Sequence, residues 1–128
     1  MEVLAYILVS FIIMILGLRF AMVTLAKRQK GKPVPELSGE YKKAVKKGKK
    51  SLFYFYGPTC PPCIQMTPIV EKIANAKDNV FKVDISKEMN VAKKFGIMGT
   101  PSIVIIENGI IKDVLFGPQS EQQINQAF

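Results

Sequence analysis

The stretch Ser51-Leu52-Phe53-Tyr54-Phe55-Tyr56-Gly57-Pro58-Thr59-Cys60-Pro61-Pro62-Cys63 decides how the chain is read. From Ser51, the continuous aromatic and aliphatic run Leu52 to Tyr56 suits a strand buried on both faces. Gly57-Pro58 breaks that run, and a helical pattern begins at Cys60. The two cysteines are the only ones in the chain. Spaced two residues apart on a helix's first turn, they can close a small disulfide ring and open it again. At a helix N-terminus the unpaired N–H groups and the macrodipole favour negative charge, so Cys60 is favoured as thiolate, the species that attacks a disulfide. Pro61 and Pro62 are tolerated there because the first turn needs no intrahelical N–H donors.

Working outward, the downstream chain alternates element signals. A helix is predicted from Cys60 to about Ala76, with Ile64, Ile69, Val70 and Ile73 on a core face and a kink at Pro68. Residues 79–85 alternate as a strand, and a short helix runs from Ser86 or Lys87 to Phe95, stopped by Gly96. Residues 101–107 and 110–116 read as strands joined by Asn108-Gly109, a strong short-range hairpin signal. Ser120-Glu121-Gln122-Gln123 carries a capping-box pattern opening a last helix. Upstream, Leu37, Tyr41 and Val45 recur at four-residue spacing over a predicted helix 37–47. The order α-β-α-β-α-β-β-α calls for a four-stranded mixed sheet covered by helices, an α/β domain over residues 37–128.

The N-terminal part is of another kind. Val3 to Leu18 holds no charge, and Glu2 and Arg19 are the only charges before Lys27. Sixteen helical residues span about 24 Å; counted through Ala26 the segment is long enough for a ~30 Å hydrocarbon core, with Arg19 snorkelling to one interface. Residues 1–26 are therefore read as one transmembrane helix. A buried helix fits poorly, because the run is apolar on every face. A cleaved secretory signal lacks its positive start and small-residue cleavage site.

The net charge of +8 is concentrated in residues 27–50, where ten Lys/Arg face Glu36 and Glu40; residues 51–128 are neutral, with seven lysines and seven acids. Within this stretch, 27–36 forms a basic, Pro-containing linker. Positive charge on the C-terminal flank alone predicts a cytoplasmic face for the domain and attraction to anionic lipid. Nucleic acid is set aside, since only Tyr41 stands among the charges to stack a base.

These motifs in this order resemble the thioredoxin family over roughly residues 50–128. The likeness rests on the CxxC at the strand–helix junction, on Pro68, on Phe81-Lys82-Val83-Asp84, on Lys93-Lys94-Phe95-Gly96-Ile97-Met98-Gly99-Thr100-Pro101-Ser102, and on Ile106-Glu107-Asn108-Gly109 and Phe116-Gly117. The resemblance implies a thioredoxin-like fold with Pro101 cis beside the cysteines. It implies dithiol–disulfide exchange in which Cys60 attacks and Cys63 resolves, with the redox-active disulfide itself in place of any cofactor. Thr100 and Pro101 would hold an extended substrate chain, and Tyr56, Pro58 and Thr59 would shape the surface around Cys60. Partners would be protein disulfides and a thiol electron donor, with the protein acting as a monomer.

The chain also departs from the family. Thr59 stands where a Trp is usual, Tyr54 replaces a buried acid, and Pro61-Pro62 replaces Gly-Pro. Lys82 matches the family's lysine near that acid. The family's first strand is replaced by linker and anchor, and the last helix is shorter. Two rivals stand beside redox activity. A CxxC-bridged dimer could hold a metal, although one pair supplies two of the usual four ligands and the chain has no His. A redox-silent module could use the peptide groove to hold a partner at the membrane. Met66, Met89 and Met98 are read as core filler rather than ligands.

Overall fold

The computed structural model describes residues 1–46 and 48–128. Helix α1 (Glu2–Lys27) is followed by α2 (Gly39–Lys46), β1 (Ser51–Tyr56), α3 (Pro61–Ala76), β2 (Val80–Asp84), α4 (Met89–Lys94), β3 (Ser102–Glu107), β4 (Ile110–Phe116) and α5 (Glu121–Ala127). The four strands form one sheet in the order β2-β1-β3-β4. β1 runs parallel to β2 and antiparallel to β3, and β3 pairs antiparallel with β4. The parallel pair needs a crossover, which α3 supplies.

The unbroken apolar strands are explained by two cores. Along β1, Phe53 and Phe55 enter one core with Val83, Phe95, Val104 and Ile106; Leu52 and Tyr54 enter the other with Met66, Val70, Ile73 and Ile124. β3 alternates in the same way, sending Val104 and Ile106 to the first core and Ile103 and Ile105 to the second. Burying each such side chain contributes about 1.5–3 kcal/mol, so both central strands must be apolar on both faces. In the first core Phe53 stacks on Phe81 at 5.1 Å and meets Tyr41 edge-on at 5.3 Å.

Local chemistry accounts for the turns. Asn108 and Gly109 both take positive φ, 53° and 73°, as a primed hairpin turn requires. The α5 capping box is present: Gln123 N–H donates to Ser120 Oγ at 3.2 Å, and Ser120 N–H donates to Gln123 Oε1 at 2.8 Å.

Three sequence expectations need correction. Helix α2 begins at Gly39, because Leu37 reaches the first core from extended chain; Lys47, expected in that helix, lies outside the described residues. Helix α4 begins at Met89, because Ser86 N–H and Oγ turn back onto Asp84 Oδ1 at 2.9 and 2.6 Å, an Asx turn that competes with helix. Ile64, expected on the core face of α3, is 68% exposed; Met66 fills that core instead.

The connection from α1 to the domain is hydrogen-bonded to β4 from Gly31 to Val34. Gly31 N–H donates to Ile111 O at 2.7 Å, Ile111 N–H to Lys32 O at 2.9 Å, and Val34 N–H to Gly109 O at 3.0 Å. Pro33, bridged to Ile110, sits within this pairing on the outer edge of β4, the kind of edge position where a missing N–H is tolerated. Helix α1 is long and apolar enough to cross a membrane, and its residues up to Ala21 are all exposed.

Candidate functional site

Cys60 is the N-cap of α3, with extended backbone, and Pro61 and Pro62 occupy the first turn. An N-cap side chain ordinarily accepts from the N–H two or three residues on. Here Cys60 Sγ accepts from Cys63 N–H at 3.3 Å. The two cysteines are joined as a disulfide, their Cα atoms 5.2 Å apart. Their exposure differs: Cys60 is half-buried, while Cys63 is 2% exposed. The sulfur at the helix start faces outward, and the one a turn later faces the protein.

Tyr54 supports the inner cysteine from below. Its ring is fully buried in β1. Its hydroxyl lies 3.0 Å from Thr67 Oγ1 and 3.3 Å from Cys63 O, and Thr67 Oγ1 donates to Cys63 O at 2.8 Å. Burial pushes the Tyr54 phenol pKa up, against a smaller lowering by the Thr67 hydrogen bond. Tyr54 therefore stays protonated and acts as a hydrogen-bonding post rather than as a base. Thr67 was missed by the sequence reading; its signal is its position four residues after Cys63, which brings its hydroxyl onto the Cys63 carbonyl.

Lys82 stands beside Tyr54 in the β1–β2 register. Its ammonium is bound to Glu71 Oε1 at 2.8 Å, with both side chains partly exposed, and that hydrogen bond raises its pKa. So Lys82 is paired to α3 at the surface.

The outer cysteine opens onto a groove of about 560 Å³ lined by Pro58, Thr59, Cys60, Ile85, Met89 and Thr100. A second depression, of about 300 Å³, runs past Tyr56, Pro58, Cys63 and Ile64. The Thr100–Pro101 peptide is cis, Pro101 is buried, and its carbonyl accepts from Gly117 N–H at 2.9 Å. A Cβ on Gly57 would stand 3.7 Å from both Cys60 Cβ and Thr100 Oγ1, so the Gly57 turn and the Thr100 loop approach each other at Cys60. The structure thus brings together Tyr56, Pro58, Thr59, Cys60, Cys63 and Thr100, with Tyr54 beneath them, and leaves Lys82 on the flank. Met89 and Met98, read as core filler, are 46% and 63% exposed; Met89 lies in the groove. Among the described residues no group of three or more Cys, Asp or Glu gathers as a metal site.

A family profile described as Thioredoxin matches residues 33–128, a span that takes in the linker's end and α2. A thioredoxin from Rickettsia felis is 32% identical over 73 residues, covering 55% of this chain and 70% of that one. Thioredoxin H4 from Arabidopsis thaliana is 34% identical over 82 residues, covering 62% and 69%. Among solved structures, a point mutant of a thioredoxin from Halobacterium salinarum superposes with a TM-score of 0.64 at 26% identity, covering 72% of this chain and 82% of that one.

Proposed function

The chain belongs to the thioredoxin family, and on that footing we propose that it is a membrane-tethered protein-disulfide reductase, acting as a monomer through Cys60 and Cys63. The observation that carries the reading is the asymmetry of the two sulfurs: one half-exposed at a helix N-terminus with an N–H on it, the other buried one turn on. In the reduced protein that N–H and the helix dipole stabilise the Cys60 thiolate. The thiolate attacks one sulfur of a substrate disulfide; that bond breaks, a mixed disulfide forms, and one substrate thiolate leaves. Cys63, as thiolate, then attacks Cys60 Sγ, freeing the second substrate thiolate and closing the Cys60–Cys63 disulfide. Two electrons pass to substrate, and a dithiol donor returns them.

Thr100 and Pro101 hold the substrate chain extended beside Cys60, and Tyr56, Pro58 and Thr59 shape the rim. Helix α1 tethers the domain, and the basic residues at its C-terminal end support a cytoplasmic orientation. A static bridge fits that reducing compartment poorly.

Trapping tests the reading. In cells, Cys63→Ser should accumulate mixed disulfides through Cys60, and Cys60→Ser should accumulate none. Trapping by neither variant would leave the peptide-holding, redox-silent alternative standing, and equal trapping by both would contradict the assignment of Cys60 as attacker and Cys63 as resolver. Protease protection of a C-terminal tag on intact cells tests the orientation.

A further inference from the structure

Three residues at the end of α1 and just beyond it differ from the rest of that segment. Met22, Ala26 and Gln29 are half-buried, while every other residue from Glu2 to Arg28 is exposed. At i, i+4 and i+7 they form one stripe, and that stripe is seated on the domain. Ala26 packs against the first core. A Cβ on Gly99 would stand 3.5 Å from Met22 Cε, and one on Gly96 would collide with the Gln29 amide. The pocket between helix and domain is about 10 Å³, no more than a single water needs. Immediately after the stripe, the Gly31–Val34 pairing ties the chain to β4. The domain is therefore held on the end of its anchor in one orientation.

That orientation sets the height of the groove. Because the domain is seated on Met22, Ala26 and Gln29, the part of α1 free to span ends short of the Ala26 counted from sequence. The uncharged run ends at Leu18, with Arg19 at the interface, and Met22 lies about 6 Å beyond Leu18 along the helix axis, within a headgroup layer roughly 5–7 Å deep on each side of the bilayer. Gly99 lies against Met22, and the next residue, Thr100, lines the groove with Cys60. The rim carries exposed Met89, and Met98 is exposed in the loop that meets α1. Lys27, Arg28 and Lys30, all exposed, put positive charge at the end of α1 where the domain is seated, as suits a surface held against anionic headgroups.

We infer that the docked α1 holds the Cys60 groove at the bilayer surface, and that the substrate is a disulfide on an extended juxtamembrane segment of another membrane protein. This rests on the reductase reading and specifies its substrate class. A segment emerging from the same leaflet reaches the groove along the surface, already confined to the layer where Cys60 stands. The exchange is the one written above: the segment's S–S bond becomes two thiols while Cys60 and Cys63 become the disulfide, and a dithiol donor restores them.

The test uses the full chain, pre-reduced and freed of reductant, in vesicles of phosphatidylcholine and phosphatidylserine. A single-span peptide in the same vesicles carries a disulfide either about three residues (~10 Å) or about twelve residues (~40 Å) beyond its span, and closure of Cys60–Cys63 is followed in a single turnover. The near disulfide should react at least tenfold faster than the far one. Ala26→Arg, or a Gly-Ser insertion between Arg28 and Gln29 should the substitution misfold, should abolish that preference while insulin is reduced as by the wild type. Insulin reduction with equal near and far rates, or a preference that survives undocking, would overturn the substrate assignment and leave the reductase standing. Failure to reduce insulin and both peptides would remove the reductase reading and this inference with it. A chain that does not float with the vesicles would overturn the placement at the membrane.

Discussion

The hydroxyls of Tyr54 and Thr67 meet at 3.0 Å directly behind Cys63, and both reach its carbonyl oxygen. One group comes from the central strand and the other from the turn of α3 after the cysteines. Together they tie the buried half of the CxxC to the sheet, at the place where the family's buried acid is replaced by a phenol that stays neutral.

Tyr54→Phe therefore removes one hydrogen bond and leaves the Thr67 bond to Cys63 O in place. We expect a loss of about 1 kcal/mol in urea unfolding and little change in Cys60 trapping. Tyr54→Asp is different, because a smaller carboxyl would be buried where a full aromatic ring now packs. The loss should exceed about 3 kcal/mol. At neutral pH the carboxyl, placed beneath Cys63, should accept its proton and speed release of the mixed disulfide. An unchanged release rate in Tyr54→Asp would show that Cys63 deprotonation does not limit turnover.

The two thiols of the reduced protein should differ in reactivity. Cys60 is half-exposed at the helix start, and Cys63 is nearly inaccessible. Iodoacetamide at pH 7 should alkylate Cys60 at least tenfold faster, with an apparent pKa below the ~8.5 of a free thiol. Equal rates across pH would contradict the assignment of attacker and resolver.

Tyr41 gives a pH dependence of known sign. Its hydroxyl is bound to both oxygens of Glu88 at 3.1 and 3.0 Å. Burial, then the Glu88 hydrogen bond and charge, push its pKa from 10.0 up to about 12. Between those values the unfolded chain gives up the phenol proton while the folded one keeps it, so stability falls as pH rises. The contribution is fully present below pH 10 and is lost on approaching 12. In Tyr41→Phe, unfolding measured from pH 9 to 11.5 should show a shallower decline than the wild type.

The linker carries stability as well as length. A chain of residues 33–128 loses the Gly31–Ile111 and Ile111–Lys32 hydrogen bonds and the Ala26 packing that a chain of residues 21–128 keeps. The longer chain should be more stable by about 2 kcal/mol in urea. Equal midpoints would mean that residues 21–32 do not hold to β4 in solution.

Much of this molecule was determined by short-range chemistry, and so could be read from the chain. The apolar run 51–56, the CxxC with its prolines at a helix start, Asn108-Gly109 in the hairpin and the Ser120 capping box all act within a few residues of backbone. The uncharged segment 3–18 is legible for the same reason, since its length and polarity are properties of one helix.

What the tertiary structure decided concerns groups brought together from far apart. Whether Ile64 or Met66 faced the core depended on where α3 lay against β1, because Pro68 and the mixed apolar pattern left both faces open. Thr67 gained a role only when the sheet placed Tyr54 behind it. The seating of Met22, Ala26 and Gln29 was hidden because a helix apolar on all sides has no periodicity to mark a contact stripe. Its contact face is defined by the partner surface of Phe95, Ile97 and Phe116, which exists only after the sheet has formed.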